Sequence, residues 1–298
     1  MLSIVIPTYN YNAFPLVSEL WKQATDAKII FEIIVLDDGS TDEISLEENL
    51  KINTLTHCYF EKNKTNLGRA KTRNLLAKKA KYNWLLFMDS DTFPKNELFL
   101  SNYLKAIAEV KNGVIFGGIK YKNEKPEISC LLRWKYGSKR EEISVQKRKE
   151  NPYETTLTSN IFLEKTIFNT IIFDERIAEY GYEDLIFIQN LKNAKLIISH
   201  IDNATFHLNY ETSIAFLAKT RKSLDTLQFI EEQNILESIE TKIQKTYHFF
   251  DKLQMCNFIA FLFKKLRNQA EKNLFSKNPS LLIFDLYKLG YFCLIKTV

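Results

Sequence analysis

The chain has 298 residues, of which 45% are hydrophobic and 26% are charged. This balance excludes an intrinsically disordered chain, and the length is sufficient for a large core. The formal net charge of +5 at pH 7 suits an anionic ligand or surface but does not require nucleic acid, so we expect no nucleic-acid partner. The four cysteines lack the paired spacing of a zinc site and do not indicate a disulfide framework.

The apolar runs of the sequence bear on its location. None reaches the roughly 18 uninterrupted residues of a membrane-spanning helix. The chain starts with an apolar strand pattern instead of a charged leader. We therefore expect a cytoplasmic protein, at most resting at the inner face of the membrane.

The first part of the chain alternates short apolar runs with amphipathic helical patterns. The helical patterns lie near Phe14 to Ala24 and Arg69 to Lys81. This alternation predicts an α/β fold, with a mostly parallel sheet flanked by helices. The runs that predict strands are Ser3–Ile6, Glu32–Leu36, Cys58–Phe60 and Trp84–Met88.

From about residue 213 the sequence changes to long helical stretches with few helix breakers. We therefore predict an α/β domain over residues 1–212 and a helical C-terminal region over residues 213–298. The apolar segments of this region either pack against the α/β domain or a partner, or rest on a membrane surface. The predicted helical stretches are Ile214–Glu232, Ile235–Phe250 and Leu253–Ala270, followed by an apolar segment at Leu281–Ile295.

A basic segment interrupts the α/β pattern. Residues 120–150 contain ten lysines or arginines against five glutamates, with Trp134 and Tyr136 among them. A solvated loop is the commoner explanation of such a segment, and a binding surface is the alternative. As a binding surface, Arg133 to Lys149 would form a lid or acceptor loop that orders when ligand binds.

Polar and acidic residues follow three of the predicted strands. In parallel sheets ligands bind outside the carboxyl ends of the strands, so these residues are candidates for a site. We expect them to line one crevice. They are Pro7, Thr8, Tyr9 and Asn10 after the first strand, Asp37, Asp38, Gly39 and Ser40 after the second, and Asp89, Ser90 and Asp91 after the fourth.

Asp89 and Asp91 lie one residue apart directly after an apolar run. An Asp-x-Asp pair is often only a surface turn, but a strand end favours a functional interpretation. Carboxylate oxygens are the ligands that Mg²⁺ and Mn²⁺ prefer, and one or two carboxylates with substrate phosphates commonly hold such an ion. The pair is therefore a candidate site for a divalent cation and a diphosphate.

The adjacent Asp37 and Asp38 have two interpretations. Asp, Gly and Ser favour turns and helix caps. A second acidic strand end facing the same crevice as Asp89 would equally suit contacts to a base or a ribose. Arg73, on the helix that leads to this crevice, is either an ordinary exposed side chain or a contact to the anionic part of a nucleotide.

The order of these pieces resembles the inverting glycosyltransferases of family 2, which have the GT-A fold. The resemblance covers roughly residues 1–210. A later block resembles the acceptor-side motif of that family, including its galactosyl- and N-acetylgalactosaminyl-transferring members. The matching segments are Ser3–Asn10, Ile33–Asp42, Asn66–Gly68 with Arg73-Asn74, Phe87–Asp91, and the later block Phe173–Arg176 with Tyr180–Asp184.

The resemblance implies roles for the later block. Asp184 would be the general base that takes the proton of the acceptor hydroxyl, and Glu183 would orient the acceptor or the sugar. The alternative is an acidic first turn of a helix, which the helix dipole favours.

The resemblance also implies a histidine downstream as a further metal ligand. His207 follows a short strand-like run and would join Asp91 and Asp89. A lone histidine is usually structural, and we give that interpretation to His57, His200 and His248. Imidazole would favour Mn²⁺ over Mg²⁺ as the cofactor.

The function implied by the resemblance is transfer of a sugar from a nucleotide-diphospho-sugar to a hydroxyl of a glycan or glycolipid acceptor, in surface polysaccharide assembly. The donor would be UDP-Gal, UDP-GalNAc, UDP-Glc or UDP-GlcNAc. One alternative is a catalytically silent module that binds nucleotide sugars. Another is a sugar nucleotidyltransferase, although we find no Gly-rich phosphate loop of the kind such enzymes use in the N-terminal part of the sequence. The predicted donor-binding residues are Pro7, Thr8, Tyr9, Asp37, Asp38, Arg73, Asp89, Ser90 and Asp91.

Overall fold

The computed structural model describes residues 1–109, 113–235 and 241–297. Within these ranges the chain forms ten strands and twelve α-helices. The strands are β1 (Leu2–Thr8), β2 (Phe31–Asp37), β3 (Cys58–Lys62), β4 (Trp84–Met88), β5 (Thr92–Pro94), β6 (Val114–Phe116), β7 (Ile119–Lys120), β8 (Asn160–Glu164), β9 (Ile198–His200) and β10 (Thr205–His207). The helices are α1 (Phe14–Asp26), α2 (Glu43–Leu50), α3 (Arg69–Lys79), α4 (Phe99–Glu109), α5 (Leu131–Tyr136), α6 (Val145–Glu150), α7 (Lys165–Thr170), α8 (Glu183–Asn193), α9 (Ser213–Glu232), α10 (Lys242–Lys252), α11 (Cys256–Leu274) and α12 (Leu281–Lys296).

The chain divides into two compact units, each built from separate segments of the sequence. All ten strands belong to the first unit, and α9 to α12 belong to the second. The first unit comprises Met1–Lys122, Glu141–Ala178 and Glu183–Asn209, and the second comprises Asn123–Arg140, Glu179–Tyr182 and Tyr210–Val298.

The main sheet of the first unit has seven strands in the order β3-β2-β1-β4-β8-β6-β9. Strands β3, β2, β1 and β4 are parallel to one another. Strand β8 runs antiparallel to both of its neighbours, β4 and β6, and β9 is parallel to β6. The mostly parallel α/β sheet predicted from the sequence is confirmed.

Both faces of this sheet are covered by helices, which explains why its strands are continuous apolar runs. Successive side chains of a strand point to opposite faces. Ile4 therefore packs in the core shared with α1 and α4, whereas its neighbour Val5 packs in the core shared with α3 and α8.

A second, three-stranded sheet has the order β5-β10-β7. Strand β5 starts four residues after the end of β4 and pairs antiparallel with β10, so that Thr92 lies opposite His207. The amide of Leu208 then donates a hydrogen bond to the carbonyl of Asp91 (2.8 Å). This small sheet brings the residue after the Asp-x-Asp pair into register with a strand more than a hundred residues later.

The second unit packs its helices around an apolar core. Leu217 of α9, Phe263 of α11, and Phe284 and Tyr287 of α12 are buried together in it. The predicted helix at 235–250 is described only from Lys242 onward, because residues 236–240 lie outside the described ranges. No helix in the described ranges is long and apolar enough to cross a lipid bilayer.

The basic segment at 120–150 differs from the predicted solvated loop. It contains α5, a π-helical turn at Gly137–Glu141, and α6. Leu132 is fully buried and Arg148 is almost fully buried. From Arg133 onward most of the charged residues of this segment are therefore carried on short helices that have buried side chains of their own.

Candidate active site

Arg73 lies at the centre of a cluster of three carboxylates in the first unit. The residue is 1% exposed. Its Nη2 atom is 2.8 Å from Asp89 Oδ1, and its Nη1 atom is 3.3 Å from Glu183 Oε1 and 3.2 Å from Asp184 Oδ1. The Phe173 ring lies beneath the guanidinium, 5.3 Å from ring centroid to Cζ. One arginine of α3 thus joins the end of β4 to the first turn of α8.

These partners differ from the contact to a nucleotide that the sequence suggests for Arg73. The guanidinium is directed at carboxylates of its own chain and is withdrawn from solvent. Burial lowers the pKa of Arg73, but the charges of Asp184, Asp89 and Glu183 outweigh burial and raise it. Arg73 is therefore a permanent cation that fixes the positions of the acidic side chains.

The two acidic residues at the start of α8 have different environments. The Glu183 side chain is 4% exposed, and its Oε1 atom also lies 3.5 Å from Arg69. The Asp184 side chain is 29% exposed. The hydroxyl of Thr158, which lies just before β8, donates a hydrogen bond to Asp184 Oδ1 (2.5 Å). Asp184 is consequently the carboxylate of this pair that is accessible to a substrate.

The pKa values of Asp89 and Asp184 are shifted in opposite directions. Burial would raise the pKa of Asp89, but Arg73 and Arg69 outweigh burial and lower it. For Asp184, burial raises the pKa and Arg73 lowers it, while the negative charges of Glu183 and Asp89 raise it further, so that the net shift is upward. A carboxylate with a raised pKa is a stronger base than an ordinary one, which suits proton abstraction.

Asp91 and His207 form the second part of the site. Asp91 Oδ2 lies 3.5 Å from His207 Nε2. The Tyr121 ring stacks on the imidazole, with the centroids 5.5 Å apart and the planes at 18°. Burial raises the pKa of Tyr11, and the charge of Asp91 raises it further, which places this phenol within the field of the same carboxylate.

The Asp91–His207 pair fits part of a divalent cation site. Two neighbouring ligands of an octahedral ion, each about 2.1 Å from it, lie about 3 Å apart, and the observed 3.5 Å separation is close to that value. Oxygen with imidazole nitrogen is a donor set that suits Mn²⁺. Asp89 is turned instead toward Arg73. Across the described ranges, no three His, Cys, Asp or Glu side chains come together in one potential metal site.

Asp37 and Asp38 are buried and fully engaged in the loop that follows β2. The amide and the hydroxyl of Ser40 both donate to Asp37. Asp38 accepts from the amides of Leu67 (2.8 Å) and Gly68 (3.0 Å) and from the Asn63 side chain (3.2 Å). These contacts agree with the interpretation of Asp37 and Asp38 as turn residues, since both carboxylates accept hydrogen bonds from backbone amides. Asp38 in particular holds the segment that leads into α3, the helix that carries Arg73.

The last residues of β1 and the residue that follows it lie at the same edge of the sheet. Thr8 lies opposite Asp37 in the register of β1 and β2, and its hydroxyl donates to the carbonyl of Tyr11 (3.0 Å). Tyr9 is 50% exposed. Pro7 and Ser90 are partly exposed. Tyr9 thus has a ring surface available to a ligand, whereas Thr8 is used within the loop.

Thr158 and Tyr121 were not singled out from the sequence, although both contact predicted site residues. Thr158 precedes an antiparallel strand, and Met88 pairs with Asn160, so the residues before β8 lie beside the residues after β4. The polar run that ends at Ser159, directly before the apolar β8 segment, carried this signal. Tyr121 had no comparable signal because its contact to His207 depends on the second sheet.

An open cavity of about 500 Å³ lies within the block predicted to face the acceptor. Asn74 fixes one wall, because its side chain donates to the carbonyl of Phe173 (2.9 Å) and accepts from the amide of Phe173 (3.0 Å). The cavity is a concave surface of the first unit that can receive a ligand. Its lining residues are Thr170, Ile171, Ile172, Phe173, Asp174, Glu175, Arg176 and Asn190.

The parallel strands with acidic residues at their carboxyl ends, followed by an antiparallel β8, define the class as the GT-A type of glycosyltransferase fold. The model of glycosyl transferase family 2 matches residues 3–170, more than half of the chain. This protein belongs to glycosyl transferase family 2.

Individual relatives agree with this assignment. An uncharacterized glycosyltransferase of Haemophilus influenzae is 37% identical over 92 residues, which are 30% of this chain and 29% of the relative. TarS of Staphylococcus aureus, a poly(ribitol-phosphate) β-N-acetylglucosaminyltransferase, is 31% identical over 149 residues, which are 43% of this chain and 24% of TarS. The matches thus span less than a third of the length of these relatives.

Solved structures of TarS share the fold. The crystal structure of TarS residues 1–349 has a TM-score of 0.51 and 26% identity, and the match covers 76% of this chain and 64% of TarS 1–349. The same TarS region in complex with UDP-GlcNAc also has a TM-score of 0.51, at 24% identity, with coverage of 76% and 66%. At 24% identity, the match to the UDP-GlcNAc complex shows only that the fold is shared.

Proposed function

We propose that this protein is a metal-dependent, inverting glycosyltransferase that moves a sugar from a UDP-sugar to a hydroxyl of a glycan or glycolipid acceptor. The observation that carries the proposal is the arrangement around Arg73. It positions an accessible carboxylate with a raised pKa, Asp184, in the same unit as the Asp91–His207 pair.

Asp184 acts as the general base in this proposal. Its Oδ1 atom is held by Arg73 and Thr158, which leaves Oδ2 to accept the proton of an acceptor hydroxyl. The acceptor oxygen then forms a bond to the anomeric carbon while the bond from that carbon to the diphosphate breaks. A single displacement inverts the configuration. Glu183 is too buried to meet the acceptor directly, and it stabilises the position of Arg73.

Asp91 and His207 are the proposed protein ligands of a Mn²⁺ or Mg²⁺ cofactor. When bound, the cation would offset the charge that develops on the leaving diphosphate. The small sheet holds both ligands in place, since the carbonyl of Asp91 accepts a hydrogen bond from the amide of Leu208, the residue after His207. Asp89 is held by Arg73 through Oδ1, and its side chain is 29% exposed, which leaves Oδ2 for a ribose or sugar hydroxyl in this proposal.

The donor and the acceptor are proposed at the level of chemical class. TarS transfers N-acetylglucosamine according to its name, which supports UDP-GlcNAc as the first donor to test, ahead of UDP-GalNAc, UDP-Gal and UDP-Glc. Its acceptor is a poly(ribitol-phosphate), and this supports a polymeric, surface-destined acceptor here.

The test is a measurement of UDP release from the four donors with Mn²⁺ and poly(ribitol-phosphate) as the acceptor, with and without a chelator, together with analysis of the product. Metal-dependent release of UDP with a new glycosidic bond supports the proposal and identifies the donor. Tight UDP binding without turnover of any donor would support a silent nucleotide-sugar-binding module instead. In a parallel assay with UTP and a sugar 1-phosphate in place of the UDP-sugar, pyrophosphate release would indicate nucleotidyl transfer.

A further inference from the structure

Helix α11 of the second unit has apolar side chains on two opposite faces. One face packs into the core of the unit through Cys256, Ala260, Phe263 and Leu274, all of which are buried. A helix that contacts a single core needs only one apolar stripe, with polar residues opposite. The other face of α11 therefore needs a separate explanation.

The second apolar face consists of Phe258, Phe261, Leu262 and Leu266. The spacing of three and four residues places these side chains along one side of the helix. Their exposed fractions are 55%, 55%, 37% and 52% in that order. We call this surface the outer face of α11. Neighbouring large apolar side chains left in water on one helix face mark an interaction surface more often than a single exposed residue does.

Basic residues are concentrated in the two helices α10 and α11. Residues 242–272, which span α10 and α11, contain seven lysines or arginines against two acidic residues. The excess equals the +5 net charge of the entire chain. Lys265 lies on the outer face itself, with its ammonium group 5.8 Å from the centroid of the Phe261 ring. The apolar face and the basic charge thus occur on the same helix.

We propose that the outer face of α11 binds the surface of an anionic lipid bilayer. The phenylalanines and leucines enter the region between headgroups and acyl chains, and the surrounding lysines contact anionic headgroups, so that the helix lies parallel to the membrane plane. This site is separate from the proposed catalytic residues, which lie in the first unit, and the inference does not depend on which sugar is transferred.

Charge favours a membrane over a second copy of the chain as the occupant. In a two-fold symmetric dimer the same patch meets itself. The basic residues around α11 would then face one another, which is unfavourable without acidic partners. An anionic bilayer supplies the opposite charge and an apolar layer together.

The experiment is flotation of the full chain with two kinds of vesicle. One contains phosphatidylcholine and phosphatidylglycerol, and the other contains phosphatidylcholine alone. We expect binding to the anionic vesicles that weakens with added salt. The double variant Phe258→Gln/Phe261→Gln should lower the partition coefficient about tenfold or more. Lys264→Gln/Lys265→Gln should lower it by a similar factor on anionic vesicles only, since each lysine near the surface contributes about fivefold.

Matched controls separate the outer face from general surface effects. Phe229→Gln removes a 40% exposed phenylalanine from α9, and Lys22→Gln/Lys105→Gln removes two exposed lysines of the first unit. Both controls should float like the wild type. Equal flotation of the Phe258→Gln/Phe261→Gln variant and the wild type would overturn the proposal. A lipid-free dimer that this variant dissociates, measured by light scattering after gel filtration, would also overturn it in favour of a second copy.

Discussion

The guanidinium of Arg73 is almost completely withdrawn from water, and three carboxylates offset its charge. Replacing it in Arg73→Met would leave Glu183 buried with only the longer 3.5 Å contact to Arg69. Loss of one partner from a buried ion pair is strongly destabilising, and we expect a loss of about 3 kcal/mol in the free energy of unfolding. Urea denaturation measures it. Lys71→Met, at an exposed position of the same helix, should change little, and equal stability of both variants would contradict the anchoring role.

Thr158 provides a test of Asp184 through pH. Its hydroxyl stabilises the ionised carboxylate and so lowers the pKa of Asp184. Thr158→Val removes this hydrogen bond, which should raise the pKa further. Because the base must be ionised, activity falls as the pH drops through this pKa. The acid limb of the kcat/KM profile should therefore move up by about one pH unit.

The control for this shift is Thr156→Val. Thr156 is a buried threonine of the same loop whose hydroxyl donates to the carbonyl of Pro152 (2.7 Å). The acid limb of the kcat/KM profile of Thr156→Val should coincide with that of the wild type. An unmoved limb in Thr158→Val would mean that the group titrating in the profile is not Asp184.

At the scale of single residues, the sequence predicted which carboxylates matter better than it predicted what they contact. Asp89 was selected by its position after a strand, and Asp184 and Glu183 were selected by the resemblance to the acceptor-side motif of family 2; the structure brings the three side chains together around Arg73. The position of Arg73 between these carboxylates was not predicted. The sequence of a helix does not show whether a given arginine of that helix faces solvent or the sheet. The roles of these side chains stay predictions.

Between elements, the junction of α6 with β9 depends on a buried histidine. Arg148 of α6 donates to the carbonyls of Phe116, Gly117 and Ile201. Its Nη1 atom is also 3.2 Å from His200 Nδ1, and His200 Nε2 lies 3.1 Å from the carbonyl of Pro152. These contacts fit a neutral imidazole with its proton on Nε2. Burial, followed by the charge of Arg148, lowers the pKa of His200 from 6.5 to about 4.

This shift predicts a pH dependence of stability. The unfolded chain binds the proton near pH 6.5, whereas the folded chain resists it until about pH 4. The contribution of neutral His200 to the free energy of unfolding is therefore complete above pH 6.5. It is lost as the pH falls from 6.5 to about 4, by about 3 kcal/mol in total. His200→Gln should lack this part of the slope in denaturation measured across the window. His57→Asn, at an exposed position with φ 65°, should keep it, and an unchanged slope in His200→Gln would contradict the assignment.

The predicted strands and helices of the first ninety residues are all present, because each one is a run with a single periodicity bounded by polar turns. Helix α3, for example, begins at Arg69 as predicted. The strand-like run noted before His207 corresponds to β10, whereas the short strands β5 and β7 were not predicted, since two or three residues give no periodic signal. The helical character of 131–150 was missed for a related reason. Its helices α5 and α6 have only six residues each, too few for a periodic pattern, and its basic composition is typical of a loop.

For the whole molecule, nucleotide and metal should stabilise the fold together. A ligand that binds only the folded state adds stability that grows with its concentration relative to Kd. With UDP and Mn²⁺ at about 100 times Kd, the melting temperature should rise by about 5 °C or more. Removing Mn²⁺ with a chelator, or the Asp91→Asn substitution, should remove most of this rise. Asp202→Asn, an exposed aspartate of the same unit, should retain it, and a full rise in Asp91→Asn would remove Asp91 from the proposed metal site.

Turnover of Asp184→Asn with the best UDP-sugar donor tests whether Asp184 is the general base. Asparagine keeps the size of the side chain and its hydrogen bond from Thr158 but cannot accept the proton. We expect a fall in kcat of about a thousandfold with the Kd for the UDP-sugar changed by less than about threefold, because the base contacts the acceptor and not the nucleotide. A kcat close to that of the wild type, at unchanged donor affinity, would contradict it.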